Sequence, residues 1–295
     1  MPLKTTALNR SRLPFELERM VVEIAARSHY PSMLHLLLVA HRITQWVEPI
    51  FYGMITLRGF HSASVFQRLL DDRPHIRRYV KTLCLTRMRE KGSHPLIVSI
   101  IDRCPCLENF AFWSYYVNHS IVKHIMDRPL RRLSLEGYQL TVSPQVLFRE
   151  RAFQCVTHLD ILKIPVTIAG LVQSTWDFSL LPHLTHLRLG FSQDWLCLDE
   201  QLGEHLALPI LAASPAMTVL LIEHELEHVR EKWVSLVKKA AMPFDPRLVF
   251  LIDRSDATQD WKAALRGNED TWMHGEEHVH LQRTEDAYII LELEE

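Results

Sequence analysis

The sequence of 295 residues is poor in several residue types and patterns that would point to particular classes of protein. It has 9 glycines, five cysteines without a Cys-x-x-Cys pair, and 33 basic against 35 acidic residues. The odd number and the spacing of the cysteines argue against a disulfide framework or a zinc ribbon. A net charge of −2 provides no basic field for nucleic acid or an anionic membrane. We therefore expect neither as a partner.

Long apolar runs are also missing. Runs such as Leu36–Ala40 are far too short to span a bilayer, and Met1–Arg12 carries charge without the apolar segment of a signal peptide. These features predict a protein of the cytoplasm and/or the nucleus, with residues 1–10 as a flexible tail.

A short phrase recurs six times along the chain: apolar, two mostly polar residues, apolar, any residue, apolar. Its central positions are Leu83, Phe110, Leu133, Leu159, Leu187 and Leu220. They are separated by 27, 23, 26, 28 and 33 residues, and leucine-rich repeats are about 20–29 residues long. The spacing therefore predicts an α/β solenoid of irregular leucine-rich repeats over residues 58–252, with a parallel sheet on its concave side and helices on its convex side.

The residues between these strands alternate with helical runs. Helices are predicted at 65–70, 96–102, 121–126, 146–151 and 202–211, a first strand at 54–57, and a last strand at 248–252. Residues 253–295 are predicted to form a C-terminal helical cap with a solvated acidic end. The asparagine ladder usual in such repeats is missing, so the backbone of the loops must find other hydrogen-bond partners.

Strand residues that alternate with the core positions project onto the concave face. For most of them a solvated sheet surface is an adequate interpretation. The middle of the face is nevertheless charged and one end is apolar, as suits binding of a protein substrate. The predicted substrate-binding residues are Arg132, Ser134, His158, Asp160, His186, Arg188 and Leu221.

The N-terminal region, residues 11–57, has a helical periodicity. Leu17, Met20, Val21 and Ile24 follow helical spacing, as do apolar residues between 43 and 51, where Pro49 predicts a kink or a restart. Three helices within so short a segment cannot bury all of their apolar stripes among themselves. Part of this surface must pack against something else.

This region resembles an F-box in its sequence Leu13-Pro14-Phe-Glu-Leu17, followed by Ile24, by Leu37-Leu38-Val39-Ala40-His41-Arg42 and by Pro49-Ile50-Phe51-Tyr52. An unrelated three-helix bundle is the alternative. The resemblance implies a bundle that docks on a Skp-type adaptor protein and through it on a cullin. By position, it implies adaptor contacts at Leu13, Pro14, Ile24, Leu37 and Val39.

Both ends of the chain are also similar to a group of F-box-like proteins from mushroom-type fungi, at the C-terminal end through residues 245–272. Taken together, the resemblances imply the substrate-recognition subunit of a Skp–cullin–F-box ubiquitin ligase, which acts in ubiquitin-dependent protein degradation. Such a subunit performs no chemistry and needs no cofactor. The alternative within the same class is a repeat scaffold whose F-box no longer binds the adaptor.

A zinc hydrolase is the hypothesis from another class. His224-Glu225-Leu226-Glu227-His228 satisfies His-Glu-x-x-His, in which two imidazoles on one helix face bind zinc and the glutamate activates water. On a helix, however, these histidines would lie away from the apolar stripe through Val229 and Trp233, in solvent. A second cluster, at His274, Glu276, Glu277, His278 and His280, has the composition of a solvated surface. We therefore predict no metal site and no enzyme.

Overall fold

The computed structural model describes most of the chain, which divides into two compact units, residues 1–54 and 55–295. The sequence prediction placed this boundary after residue 57. The described residues are 13–28, 30–88, 93–114, 119–140, 144–164, 176–191, 206–224, 245–253, 256–285 and 290–293. The predicted tail, residues 1–10, lies outside them.

The first unit contains three helices: α1 (Phe15–Ser28), α2 (Tyr30–Leu36) and α3 (His41–Phe51). Their buried apolar residues form one cluster, which consists of Ala26, Met33, Ile43, Trp46 and Val47. Pro49 lies within α3, and the helix continues through it to Phe51 without the predicted restart. The proline stands in the last turn, where it removes only one hydrogen bond near the C-terminal end.

The second unit is built on one sheet, whose strands lie side by side in chain order. The pairs from β2 to β9 are parallel. The predicted α/β architecture with a parallel sheet is thus confirmed. The strands are β1 (Met54–Arg58), β2 (Thr82–Thr86), β3 (Asn109–Trp113), β4 (Arg132–Glu136), β5 (His158–Ile164), β6 (His186–Phe191), β7 (Val219–His224), β8 (Leu248–Asp253) and β9 (Ile290–Leu293).

The repeated phrase determines the register of the sheet. Its six central residues pair across neighbouring strands from Leu83 through to Leu220, and all six are fully buried. The helices between strands are α4 (Gly59–Asp72), α5 (Ser93–Arg103), α6 (His119–Ile125), α7 (Pro144–Leu147), α8 (Arg151–Gln154) and α9 (Leu208–Ala213). They agree with the predicted runs, except that the run 146–151 is interrupted at 148–150 by a turn between α7 and α8 and residues 202–205 lie outside the described part.

Threonine hydroxyl groups donate to backbone carbonyls at the entrances of three strands. The hydroxyl of Thr157 donates to the carbonyl of Arg131 at 3.1 Å, that of Thr185 to Thr157 at 3.1 Å, and that of Thr218 to Thr185 at 3.0 Å. Each of these threonines stands one residue before its strand. The repeats therefore carry a ladder of side-chain hydrogen bonds at the strand entrances, in exposed and partly buried positions.

The C-terminal segment, which was predicted to be a helical cap, contains two helices and a strand. After β8 the chain forms α10 (Ala257–Arg266) and α11 (Thr271–Glu285), which pack on the sheet, and then adds β9 beside β8. Part of the predicted acidic end thus forms a strand, in which Glu292 pairs with Ile252; Glu294 and Glu295 lie outside the described residues. A parallel sheet requires cover on both faces, and α10 and α11 supply it on the face opposite the repeated leucines.

Candidate functional site

One row of side chains runs across seven strands and defines the sheet face that we call the covered face. In register order, the row consists of Cys84, Ala111, Ser134, Asp160, Arg188, Leu221 and Val249. The neighbouring row on the same face runs from Thr82 through Asn109, Arg132, His158 and His186 to Val219. This face includes all seven predicted substrate-binding positions.

Local sequence signals position the two helices over this face. The Asp256 carboxylate accepts a hydrogen bond from the Thr258 N–H at 2.8 Å and begins α10, and Gly267 ends it in the left-handed conformation with φ of 70°. The Asp270 carboxylate likewise accepts from the Met273 N–H at 2.8 Å in the first turn of α11. Asp260 of α10 accepts from the Thr271 N–H at 2.8 Å, which links the two helices.

Apolar contacts hold the helices at both ends of the covered face. Trp261 packs on Cys84 and Ala111. At the other end, Trp272 and Val279 belong to one buried cluster with strand residues Val219, Leu221, Val249 and Leu251. A β-carbon built on Gly275 would lie only 3.1 Å from Cδ2 of Leu221, so α11 approaches β7 closely because this residue has no side chain.

The centre of the interface is charged. Arg188 is nearly inaccessible, and its guanidinium donates to Glu223 on the next strand at 2.6 Å and to Asp260 on α10 at 3.0 Å. Arg132 lies 3.7 Å from the carboxylate of Asp270. The sheet therefore contributes both arginines and the Glu223 carboxylate, and the helices contribute two further carboxylates that pair with the arginines across the interface.

A histidine pair lies beside these ions. The rings of His158 and His186 stack in parallel with centroids 4.1 Å apart, and the indole of Trp272 meets both rings edge-on. His186 Nε2 donates to the Glu276 carboxylate at 2.9 Å. Burial, together with the positive charges that His186 and Arg132 can carry, lowers the pKa of His158 to about 3, so the ring is neutral near pH 7.

Asp160 is the least compensated acid of the site. Burial raises its pKa from 3.8 to about 7, although Arg188 acts in the opposite direction. Within the described part of the chain, its Oδ1 atom has no hydrogen-bond partner. A half-ionised carboxyl group thus lies under the helices at neutral pH.

The predicted concave residues are therefore brought together, but they are not accessible. Ser134, Asp160, His186, Arg188 and Leu221 are buried, and Arg132 and His158 are partly buried. The expectation of an open, solvated face is wrong at the buried positions because α10 and α11 lie over it. Sequence reasoning missed Asp260, Asp270 and Glu276 as partners of these residues. One signal in the sequence could have revealed that α11 packs on the sheet: Trp272, Gly275, Val279 and Gln282 follow helical spacing and share one buried face. The polar Gln282 interrupts the apolar pattern of that face.

The predicted adaptor-binding positions lie in the first unit and are mostly exposed. Leu13, Pro14, Ile24 and Val39 are exposed, while Leu37 is partly buried against the core of the bundle.

Helix α1 turns its longest apolar stripe outward. Leu17, Met20, Val21 and Ile24 are 44–59% exposed. The helix instead packs through Val22 and Ala26, on a face about 170° away. Glu18 forms an ion pair with Arg42 of α3 at 2.5 Å. A stripe of this length left outside the core is surface that a partner can bury.

The His-Glu-x-x-His motif is not placed on one helix. His224 is the last residue of β7 and pairs with Phe191 and Ile252, whereas a helix from this position was the predicted setting; His228 lies outside the described residues. In the second cluster, at residues 274–280, the Glu276 carboxylate forms a hydrogen bond with the buried His186, whereas a solvated surface was predicted. No group of three or more metal-binding side chains occurs in the described ranges.

Comparison of the chain with protein-family models and with curated proteins gave no match in either case. Across the described residues, no helix combines the length and the apolar character needed to cross a membrane.

Proposed function

We propose that the protein is a protein-binding adaptor, the substrate-recognition subunit of a Skp–cullin–F-box ubiquitin ligase. In this role the N-terminal bundle is an F-box that docks on a Skp-type adaptor, and the leucine-rich repeat array positions a protein substrate. Ubiquitin transfer is then promoted by proximity alone. The repeat spacing and the sheet in strict chain order support the repeat assignment.

The outward stripe of α1 is the observation that carries the proposal. Burying a leucine, isoleucine or methionine fully is worth about 1.5–3 kcal/mol. Leu17, Met20, Val21 and Ile24 are each about half exposed, so a partner that covers them gains about 3–6 kcal/mol before the costs of association. Leu13 and Val39, two of the positions implied by the F-box resemblance, are also exposed, at 58% and 63%.

Adaptor retention tests this proposal directly. The double substitution Ile24→Ala with Val39→Ala should weaken co-purification of the organism's own Skp-type adaptor by about 10- to 100-fold, because it removes two apolar contacts. Both side chains are exposed, so the melting temperature should stay within about 2 °C.

The matched control is Val65→Ala with Val146→Ala, which removes similarly exposed apolar groups (45% and 59%) from the second unit and should leave retention unchanged. If the unmutated protein does not retain the adaptor, the ligase role is refuted and the scaffold role replaces it. If the control pair loses adaptor retention to the same extent, the binding surface cannot be assigned to the bundle.

A zinc hydrolase is less well supported than either binding role. Its motif requires two histidines one helical turn apart, and His224 ends a strand.

A further inference from the structure

Charge is distributed unevenly along the chain. Residues 59–131, which run from the start of α4 to the residue before β4, contain twelve lysine and arginine residues against six aspartate and glutamate residues. The remaining residues contain 21 basic against 29 acidic side chains. The net charge of −2 therefore conceals a basic segment within an otherwise acidic protein. Such an asymmetry is typical of a surface that binds a charged partner.

The fold gathers these charges at the edge where the strands of the sheet begin. The segment 73–81 leads directly into β2 and contains four cations and no acid: Arg73, Arg77, Arg78 and Lys81. Lys81 and Arg131 each stand one residue before a strand, on either side of the residue that precedes β3. Neighbouring strands lie about 4.8 Å apart, so these two charges are close together. Threonines occupy the corresponding positions before β5, β6 and β7, so the charge is confined to the first repeats.

The ends of the helices add guanidinium groups to this edge. Asp71, at the end of α4, lies 3.4 Å from the guanidinium of Arg77 and 3.1 Å from that of Arg103 at the end of α5. Arg128, which follows α6, donates to a carbonyl of α5 at 3.2 Å. Burial raises the pKa of Cys104 to about 12, and the charges of these three arginines act against that rise. The three arginines therefore converge on one place.

We call this surface the basic edge, and its acids neutralise only part of it. The basic edge consists of Arg77, Arg78, Lys81, Arg103, Arg128 and Arg131. Asp71 is shared between two of its arginines, and Glu108 pairs with Lys81 at 2.9 Å. Among the described residues of 59–131, five acidic side chains, Asp72 and Asp127 included, stand against ten lysine and arginine side chains. The surface therefore remains positive.

Arg78 and Arg131 are the cations of the basic edge that are best placed to meet a ligand. Arg131 is exposed, and within the described residues its guanidinium forms neither an ion pair nor a hydrogen bond. Arg78 is exposed too; its guanidinium lies over the ring of Tyr79, 5.1 Å from the centroid, and donates to the Tyr79 hydroxyl at 3.1 Å. A guanidinium has five N–H donors, so this contact orients Arg78 and leaves donors for a carboxylate, which arginine can bind in bidentate fashion.

We propose that the basic edge binds an acidic segment of a protein substrate, whose carboxylates pair with Arg78 and Arg131. The inference rests on the proposed function, because it names the class of substrate that the repeat array holds. An acidic peptide fits better than a nucleic acid, because the negative charge of the rest of the chain repels an extended polyanion. This site also lies away from the covered face, which α10 and α11 occupy.

Peptide binding to the full chain tests the proposal. The probe is a fluorescein-labelled peptide in which glutamate and glycine alternate over about ten residues, long enough to cross three strand entrances. Fluorescence anisotropy at about 50 mM salt follows its binding. The double variant Arg78→Glu with Arg131→Glu should bind the probe about tenfold more weakly than the native chain, because two attractive charges become repulsive. Raising the salt to about 200 mM should also weaken native binding, because exposed charges are screened.

The matched control is Arg27→Glu with Arg283→Glu. It makes the same change in net charge at two exposed arginines outside residues 59–131 and should keep the native affinity for the probe. A probe with glutamine in place of glutamate should not bind the native chain. If the melting temperature shows that the Arg78 and Arg131 reversal does not fold, Arg78→Gln with Arg131→Gln replaces it, with a smaller loss of affinity in the same direction.

Two results would overturn the proposal: no binding of the glutamate probe at protein concentrations up to about 1 mM, or equal loss of affinity in the test and control variants. Single-stranded oligothymidylate of the same length is the competing ligand. If it binds more tightly than the peptide and depends on the same two arginines, the basic edge is a nucleic-acid surface and the proposal is wrong. Adaptor retention does not enter this assay, so failure of the peptide test and failure of the ligase role are separate results.

Discussion

The buried carboxyl group of Asp160 provides a quantitative test of the covered face. Its pKa is raised from 3.8 to about 7 in the folded protein. Between these pH values the folded chain holds a proton that the unfolded chain has released. The free energy of unfolding therefore decreases as the pH rises: the contribution of Asp160 is fully present below pH 3.8 and lost as the pH passes about 7.

Asp160→Asn removes this titration and keeps the shape of the side chain. A difference of about three pKa units corresponds to about 4 kcal/mol. The amide also needs hydrogen-bond partners, whose absence costs about 1–3 kcal/mol. We therefore expect the variant to be more stable than the native protein by about 1–3 kcal/mol at pH 8 and less stable by about 1–3 kcal/mol at pH 4, where the native carboxyl group is protonated and only the cost of the amide remains.

Urea unfolding at pH 4, 6 and 8, followed by circular dichroism, measures this difference. Asp127→Asn is the matched control, because Asp127 is exposed, and it should show no comparable pH-dependent gain. If Asp160→Asn is less stable than the native protein at pH 8, the ionised carboxylate stabilises the fold through Arg188, and the reasoning from burial is refuted.

Two further predictions concern the same interface. The pKa of His158 is lowered to about 3 from 6.5, so its contribution to stability is present above pH 6.5 and lost as the pH falls towards 3. In an Asp160→Asn background, which removes the opposing titration of Asp160, His158→Gln should flatten the acid side of the plot of unfolding free energy against pH. An unchanged slope would contradict the assignment of this titration to His158. Gly275→Leu should destabilise the protein by about 1–3 kcal/mol through overpacking against β7 and should increase hydrogen exchange first in α11, whereas unchanged stability would mean that the helix does not approach the strand this closely.

Periodicity determined which residues share a face. The phrase centred on Leu83, Phe110 and the four later positions predicted the strands and, through their alternation, the row from Ser134 to Arg188. Helical spacing likewise predicted α1 and a helical region over residues 253–295, within which α10 and α11 lie. These are local properties, because the period of two or 3.6 residues is imposed by the backbone itself.

Periodicity did not determine what covers each face, and here the tertiary structure decided. The stripe from Leu17 to Ile24 has the pattern of a core stripe, yet α1 packs through Val22 and Ala26. The covered face has the mixed composition of a solvated surface, yet α10 and α11 bury it. From the sequence alone, Arg132 and Arg188 could be interpreted as exposed, because their partners Asp270 and Asp260 lie 72 or more residues away along the chain.

The same reason explains the wrong prediction of a helix at His224 and the strand at 290–293, which the sequence did not reveal. His224 has helix-like neighbours in sequence, but pairing with Phe191 and Ile252 extends β7 to include it. Ile290–Leu293 looks like part of an acidic tail, but β8 presents an edge on which it forms β9. A free strand edge stabilises whatever extended segment can reach it. The sequence by itself thus determined the repeats, their register and the faces of the helices; the folded chain decided which of those faces are buried, because burial depends on contacts between segments far apart in sequence.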